Sequence, residues 1–566
     1  AALAGQSFTA TPTEPWLTVT PSTGTVPPAG LTLTVTANTA GLPLGTSLGG
    51  ITITTTPSSP SLRLSSNAST TNTTTLSVNV VQPVSPTSKS TPPPDALIIP
   101  AVAHADGFNS HFQSDVRLTN TSPQPLKYQI TFTPSGEDGL GNGRQTQIDV
   151  DPGRTIALDD ILKTWFSSGS SDGSTGTLEI RPLTSTSSKV TSNAITGLAN
   201  LVTFASSRTF NNTANGTFGQ YIPAIPFANF IGKSSGAITL QQIAQSAKYR
   251  TNLGLVEGSG QPVSLNIGIF GSNGVKLKDF TVDLKGGQHT QLNSFLATQG
   301  LELEDARIEV KVASGSGRVT AYASVLDNQT SDPLLVTPVT ITNGGSTKYV
   351  LPGVADLAAW HSDVRIFNAS SSKVDATLLF VSQTGATQTQ PLTLAPNEVK
   401  QLDNLLQSTF GVTNDGGALH ITTATPANLI ATARTYNLTT AGTYGQFISA
   451  VTPNDAAALG TRPLQLLQVE ESDRYRTNVG LAEVNGQPAK VEVTIVPPDS
   501  KVSAVVQLDL APNEFRQLNQ ILKSAGLDNT YNARVSVQVI EGAGKVTAYA
   551  SVIDEQTQDP TLIQAQ

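Results

Sequence analysis

The sequence contains no cysteine and no methionine among its 566 residues. The absence of cysteine excludes a disulfide framework, a thiolate nucleophile, a cysteine-ligated zinc site and an iron–sulfur cluster. Cysteine and methionine are also the side chains that oxidise most readily, and heat-adapted proteins avoid thermolabile residues. Their joint absence favours an exposed, oxidising or hot environment. Compositional drift, the alternative, explains the loss of one residue type more easily than the loss of both.

Charged side chains are also scarce, at 13% of the sequence, about half of the roughly 25% usual for a soluble domain. The 33 basic and 41 acidic residues give a net charge of −8, which argues against a nucleic-acid-binding protein with clustered Lys and Arg. No uncharged apolar run reaches the roughly 18–20 residues that cross a bilayer, so no membrane insertion is expected. Because the chain starts at Ala1, we expect an extracellular or cell-surface protein whose signal sequence has been removed.

Short runs of alternating apolar and polar residues occupy most of the chain, as in 31–36 and 533–540. This period of two, interrupted by Gly, Asn and Pro, is typical of half-buried strands in antiparallel sheets. Long helical periodicity is absent. The sequence therefore predicts an all-β protein with only short helical turns.

Three motifs recur four times in the same order downstream of residue 96. An opening strand begins with an aromatic residue and carries Asp or Asn at its fourth position; a middle motif has the pattern Leu-Asp/Asn-x-apolar-Leu; a late strand ends in Asp or Asn. Such a fixed period indicates tandem structural repeats. The opening aromatics are Phe112, Tyr249, Trp360 and Tyr475, and the fourth positions are Asp115, Asn252, Asp363 and Asn478.

The four copies alternate in sequence. Copies two and four share Val-Thr-Ala-Tyr-Ala-Ser-Val at 319–325 and 546–552, whereas copies one and three share Gly-Gln-aromatic-Ile at 219–222 and 445–448. A pair of repeats was therefore duplicated once, and each repeat has about the size of an immunoglobulin-like sandwich. We call the repeats A1, B1, A2 and B2.

The predicted fold is five tandem immunoglobulin-like β-sandwich domains in an elongated array. A proline-rich stretch predicts an extended spacer after the first domain. The predicted boundaries are 1–83 for an N-terminal module, 84–96 for the linker, 97–233 for A1, 234–345 for B1, 346–460 for A2 and 461–566 for B2.

The recurring residues have structural roles in this prediction. We expect the four opening aromatics to anchor the cores, and the Asp and Asn residues at the fourth positions to cap strand ends. The middle motif predicts a one- to two-turn helix whose N-cap is Asp or Asn. These predicted caps are Asp159, Asn293, Asp403 and Asn519.

The N-terminal segment resembles the BACON-type immunoglobulin-like module of bacterial secreted proteins. The resemblance rests on Pro15-Trp-Leu-Thr-Val-Thr-Pro-Ser-Thr-Gly24 and on the strand-like stretches 31–36, 40–45, 50–54 and 76–80. It implies an Ig-like fold and the carbohydrate binding proposed for that family. The four repeats resemble tandem β-sandwich repeats of bacterial secreted and surface proteins, which imply no particular activity.

Modules of this family usually have one or two strands before the strand that corresponds to Ser7, Phe8, Thr9 and Ala10, and only six residues precede it here. Two explanations remain open. The chain is trimmed or the resemblance is loose at this end; or a neighbouring subunit completes the sandwich by strand addition, with residues 7–10 as the subunit-contact strand.

Few residues suggest chemistry. His104 and His111 lie near Asp106 and Asp115 in sequence, which fits either a metal cluster or surface histidines in a connecting loop. The glycines of 139–143 indicate a hairpin tip, with weak calcium binding by Glu137 and Asp138 as the alternative. No motif pairs carboxylates for acid–base catalysis. We expect neither an enzyme nor a cofactor.

The sequence thus favours a non-enzymatic structural protein. It would be a subunit of a cell-surface fibre, a pilus-like filament or a surface layer, self-associating into a homopolymer by β-strand addition or end-to-end domain contacts. The alternative is a monomeric rod that acts as a surface adhesin or carbohydrate-binding protein, with glycans or other surface components as partners.

Overall fold

The computed structural model describes residues 4–38, 42, 45–56, 72–82, 90–107, 110–166, 174–183, 202–213, 216–341, 344–440, 442–498 and 504–566. Antiparallel strands dominate, arranged as separate sheets that form sandwiches, which confirms the all-β prediction. The chain divides into two compact units, 1–84 with 144–148, and 85–143 with 149–566.

The first unit contains two sheets around a small core. A four-stranded sheet has the order β3-β1-β5-β6, and β2 pairs with β4 in a second sheet. Phe8, Ala10, Leu17, Val19 and Ile51 are buried between them. The strands are β1 (Ser7–Pro12), β2 (Leu17–Thr20), β3 (Thr23–Thr25), β4 (Thr34–Ala37), β5 (Gly45–Thr56) and β6 (Asn72–Gln82).

Strand β1 contains the residues that we expected to meet a neighbouring subunit. Ser7 pairs with Thr25 on one side and with Thr56 on the other. The prediction of a subunit-contact strand at Ser7, Phe8, Thr9 and Ala10 is therefore wrong, because β3 and β5 occupy both edges of β1.

The second unit begins with repeat A1. The strand order β9-β12-β7-β8-β13-β14 joins two layers, because β7 pairs with β12 along one part and with β8 along another. The elements of this part of the chain are β7 (Leu97–Gly107), β8 (Ser110–Asn120), β9 (Leu126–Pro134), β10 (Arg144–Val150, of which 144–148 belong to the first unit), β11 (Thr155–Leu158), α1 (Ile161–Thr164), β12 (Ser174–Pro182), β13 (Thr203–Thr213), β14 (Gly216–Pro223), β15 (Ile225–Pro226) and a 3₁₀ turn (Phe227–Asn229).

Repeat B1 is a sandwich of two sheets. The sheet orders are β19-β18-β21-β16-β24 and β20-β17-β22-β23. The elements are β16 (Ile238–Gln245), β17 (Tyr249–Glu257), β18 (Val263–Gly271), β19 (Lys276–Leu284), β20 (His289–Leu292), α2 (Phe295–Thr298), β21 (Leu303–Gly315), β22 (Val319–Asp327), β23 (Pro333–Val336) and β24 (Val339–Thr340).

Repeat A2 has two four-stranded sheets, β25-β30-β27-β28 and β29-β26-β31-β32. Its elements are β25 (Ser346–Asp356), β26 (Trp360–Asn368), β27 (Val374–Ser382), β28 (Thr387–Leu394), β29 (Val399–Leu402), a π-helical turn (Leu406–Phe410), β30 (Asp415–Ala427), β31 (Leu429–Thr439) and β32 (Gly442–Ser449).

Repeat B2 also has two four-stranded sheets, β33-β38-β35-β36 and β37-β34-β39-β40. Its elements are β33 (Leu464–Glu471), β34 (Tyr475–Glu483), β35 (Ala489–Val496), β36 (Ala504–Leu510), β37 (Phe515–Leu518), α3 (Ile521–Ser524), β38 (Thr530–Gly542), β39 (Val546–Asp554) and β40 (Pro560–Gln564).

Part of the predicted linker belongs to the packed structure. Residues 83–89 lie outside the described residues. Arg181 Nη1 donates to Ser90 Oγ at 2.7 Å, Thr91 Oγ1 donates to the carbonyl oxygen of Ser259 at 3.3 Å, and Ala96 is buried. The prediction of a spacer is therefore wrong for 90–96, because these contacts fix it against A1 and B1.

The Asp or Asn at the fourth position of each opening strand supports the turn before the short helix of its own repeat. Its side-chain oxygen accepts a backbone N–H from a residue in the left-handed conformation, with φ between 43° and 45°. The acceptor–donor pairs are Asp115–Asp160 (2.8 Å), Asn252–Ser294 (3.0 Å), Asp363–Asn404 (2.9 Å) and Asn478–Gln520 (3.0 Å).

The predicted helix caps are wrong. The N-cap positions of α1, α2 and α3 are Asp160, Ser294 and Gln520, one residue later than predicted, and none makes a side-chain capping bond. The π-helical turn of A2 has Leu405 as its N-cap. The left-handed residue turns the chain into the helix, so Asp159, Asn293, Asp403 and Asn519 lie before the turn instead of at the cap.

The four repeats close into a cycle. Edge strand β14 of A1 contacts β23 of B1 and β40 of B2, and β32 of A2 contacts the same two strands. The first repeat therefore touches the fourth. The predicted elongated array is wrong for the four repeats, because their edge strands meet at a common centre.

We expect Asp363→Ala to lower the free energy of unfolding by about 1 kcal/mol, the net value of a typical hydrogen bond. Asp363→Asn is the matched control, since asparagine keeps the acceptor oxygen and occupies the same position in B1 and B2. Urea unfolding of both variants measures the effect. Equal destabilisation by Ala and Asn would contradict the role of the side-chain oxygen.

Candidate functional site: the centre of the four repeats

Two acidic turns, one in each B repeat, bind edge strands of the A repeats. Both turns have the sequence Asp-x-Gln-Thr-x-Asp-Pro, at 327–333 and 554–560. The first Asp of each turn accepts two bonds from one threonine of an A repeat. Asp327 Oδ2 accepts from Thr443 N at 2.9 Å and Oγ1 at 2.8 Å, and Asp554 Oδ2 accepts from Thr217 at the same two distances.

The second Asp of each turn binds a glycine of the Gly-Gln-aromatic-Ile motif. Gly445 N donates to Asp332 Oδ2 at 3.2 Å, and Gly219 N donates to Asp559 Oδ2 at 3.1 Å. A side chain on Gly219 would place its Cβ 2.5 Å from Cβ of Phe210. Only glycine at this position lets β14 lie this close to Phe210 of β13, which explains the glycine of the Gly-Gln-aromatic-Ile motif.

The glutamine of the same motif bonds within each A–B pair. Ser324 Oγ donates to Gln220 Oε1 at 3.1 Å, and Ser551 Oγ donates to Gln446 Oε1 at 3.3 Å. These serines belong to the Ala-Ser-Val sequence that the B repeats share. The motifs that distinguish A from B copies therefore meet one another at the centre.

Asp332 and Asp559 are buried, and each has an Oδ1 without a hydrogen-bond partner among the described residues. Burial raises the pKa of Asp559 to about 7. Burial also raises the pKa of Asp332 well above its usual value, and the nearby Asp559 carboxylate adds to that rise. The N–H groups of Gly219 and Gly445 act in the opposite direction on these pKa values.

The aromatic residues of the opening strands take different positions. Tyr475 is buried, whereas Phe112, Tyr249 and Trp360 are half-buried. Tyr249 and Tyr475 face the centre: the guanidinium of Arg434 lies 4.6 Å from the Tyr249 ring centroid, and that of Arg208 lies 4.9 Å from the Tyr475 centroid. These two tyrosines pack against a neighbouring repeat in addition to their own.

The histidines of A1 lie on strands. His104, in β7, is buried and its Nδ1 lies 2.8 Å from Asp160 Oδ1; His111, in β8, is exposed and pairs with Asp106 at 2.7 Å. The expectation of surface histidines in a connecting loop is wrong for His104. Across the described ranges, no three His, Asp or Glu side chains converge as metal ligands.

The glycine-rich stretch 139–143 follows β9, and its start lies against repeat B1. Gly139 N donates to the carbonyl oxygen of Gly286 at 3.1 Å, and Leu140 N donates to Asp138 Oδ1 at 2.7 Å. Asp138 thus supports the turn itself.

A cavity of about 830 Å³ lies beside the centre and is lined by residues of all four repeats, with Gln564 as the contribution of B2. Its wall combines apolar and ring side chains, such as Pro226, Phe230 and Tyr349, with the amides of Asn229, Asn428 and Asn454. A volume of roughly 300–1,000 Å³ is typical of small-ligand sites. Sequence reasoning missed this cavity because its walls come from residues that are distant along the chain.

No protein-family model and no curated protein matches the chain. Among solved structures, it is similar to Salmonella alpha-2-macroglobulin reacted with methylamine, with 10% identity over 100% of this chain and 37% of that one, at a TM-score of 0.13. The native conformation of E. coli alpha-2-macroglobulin has 10% identity over 100% of this chain and 38% of that one, at a TM-score of 0.14. The chain thus spans little more than a third of those proteins, and such low TM-scores support no functional argument.

No described helix is long and apolar enough to cross a membrane.

We expect Asp559→Asn to change how stability depends on pH. An aspartate in an unfolded chain has a pKa of about 3.9, whereas that of folded Asp559 is about 7. Between these values the folded state keeps a proton that the unfolded state has lost, so the free energy of unfolding falls as pH rises. The variant should be less sensitive to pH from about 4 to 7 and more stable than the wild type at pH 8.

Urea unfolding at pH 4, 6 and 8 measures this difference. Asp509→Asn, at an exposed residue of edge strand β36, is the control and should follow the wild-type profile. An Asp559→Asn profile parallel to that of the wild type would show that Asp559 ionises normally.

Proposed function

We propose that the chain is a non-enzymatic extracellular protein of a cell surface and that its four-repeat unit binds a ligand in the cavity beside the centre of the repeats. The cavity carries this proposal, because residues of all four repeats line one cavity of suitable volume. The closed cycle of edge-strand contacts joins the repeats that supply its wall.

The wall chemistry favours a glycan as the ligand. The wall residues Asn229 and Asn454 are exposed, and their amides both donate and accept hydrogen bonds, as sugar hydroxyls require. The half-buried ring of Pro226 adds an apolar surface beside them. The resemblance of the N-terminal segment to BACON-type modules, for which carbohydrate binding has been proposed, supports the same ligand class. The Ig-like classification of each sandwich is part of this proposal.

Glycan-array binding of the intact chain tests the proposal. We expect Asn428→Trp, which fills the cavity from its wall, to weaken binding at least tenfold while the protein remains folded. Thr389→Trp, on the exposed edge strand β28, adds the same side chain elsewhere and should bind as the wild type does. Equal binding by both variants would place the ligand outside the cavity.

One observation also favours assembly into a fibre. In the described part of the first unit, the second sheet consists only of β2 and β4. Val35 in β4 is 38% exposed, and Leu31 just before β4 is 42% exposed. An open edge with apolar neighbours is a template for strand addition from another chain. The strand-addition proposal therefore moves from β1 to β4.

We expect Val35→Lys to abolish any ordered polymer seen by electron microscopy of the native protein, because an edge lysine opposes strand pairing. Leu277→Lys is the control, since β19 is an edge strand that already carries Lys276 and Lys278. Polymers of normal length from Val35→Lys would exclude β4 as the contact strand.

A further inference from the structure

The centre of the second unit contains the same set of contacts twice. One set joins B1 to A2 and the other joins B2 to A1. The Asp–Thr and Asp–Gly bonds described above agree within 0.1 Å between the two sets. The unit therefore consists of two halves, A1–B1 (97–341) and A2–B2 (344–566), that face each other through equivalent interfaces.

A glutamine in each B repeat extends the equivalence. Gln242 Nε2 donates to the carbonyl oxygen of Thr432 at 3.2 Å, and Gln468 Nε2 donates to that of Ser206 at 3.2 Å. Both glutamines have positive φ values, 59° and 60°. This conformation is uncommon for a residue with a side chain, so its recurrence shows that the same local geometry serves both interfaces.

Two aromatic rings mark the axis that relates the halves. Phe218 of A1 stacks on Tyr444 of A2, with ring centroids 5.7 Å apart and planes inclined by 18°. These residues occupy the same position in the two A repeats. Contact between equivalent residues is the property of an isologous interface, in which one surface meets its own equivalent around a two-fold axis.

The covalent connection between the halves does not account for these contacts. It joins B1 to A2 near residues 341–344, whereas A1 and B2 lie at opposite ends of the four repeats in sequence. Gln566 Nε2 nevertheless donates to the carbonyl oxygen of Ala205 at 2.9 Å, and Arg208 stacks on Tyr475. Surface complementarity, and not the short connection, holds B2 against A1.

We propose that each half carries a complete self-complementary docking face, and that the partner this face fits is the opposite half of a second copy of this chain. When two copies exchange halves, every contact between an A1–B1 half and an A2–B2 half is preserved. Only the path of the chain near 341–344 changes. Two copies that exchange both halves form a closed dimer, and serial exchange forms an open polymer. The inference does not depend on ligand binding in the cavity.

The test uses the full chain with a protease site inserted between Ile341 and Gly344. After cleavage of the folded protein, we expect the two halves to remain associated at the mass of the intact chain in native mass spectrometry. Unlabelled and ¹⁵N-labelled cleaved proteins are then mixed in urea below the unfolding transition. Complexes with one labelled and one unlabelled half should appear. Separation of the halves on cleavage, or no mixed complex, would overturn the proposal.

Matched substitutions test the equivalence of the two interfaces. Thr217→Val and Thr443→Val each remove a hydroxyl that bonds both a carboxylate and a tyrosine hydroxyl of the opposite half. Each should weaken association of the cleaved halves by at least about tenfold. Thr389→Val, on β28, is the control and should leave association unchanged. A loss confined to one of the two central variants would show that the interfaces are not equivalent and would count against self-complementarity.

Discussion

Carboxylates bound to backbone N–H groups organise the centre of the four repeats. An edge strand leaves N–H groups without partners, and such an edge would otherwise pair with a foreign strand. Here Asp327 and Asp554 take up N–H groups of β32 and β14. The same bonds satisfy the edge strands and join repeats that are distant in sequence, so the closed cycle depends on them.

Because the chain has no cysteine, no disulfide stabilises the four sandwiches. A sandwich without covalent cross-links depends on core packing and on the satisfaction of buried polar groups. Each of the four repeats contributes an edge strand to the centre, so polar groups of one repeat are satisfied there by groups of another. This satisfaction is incomplete at Asp332 and Asp559, because each leaves one buried carboxyl oxygen without a hydrogen-bond partner among the described residues.

Local patterns predicted the strands, the repeats and the alternation of A and B copies, because these follow from periodicity and from sequence identity between copies. The helix caps were misplaced by one residue, since a left-handed residue such as Ser294 carries no distinctive sequence signal. The cycle was missed because it depends on which surfaces meet. Two sequence features could have indicated these contacts. The Asp-x-Gln-Thr-x-Asp-Pro turn occurs only in the B copies, and the glycine of Gly-Gln-aromatic-Ile occurs only in the A copies.

The contact between the first and last repeats also determines how the unit responds to a pulling force. Tension between Leu97 and Gln566 acts directly on the A1–B2 interface, where noncovalent bonds such as Asp554–Thr217 join neighbouring surfaces. That interface joins the two loaded repeats directly, in parallel with the covalent route through B1 and A2. Release of this one noncovalent interface would lengthen the unit while each sandwich kept its own sheets.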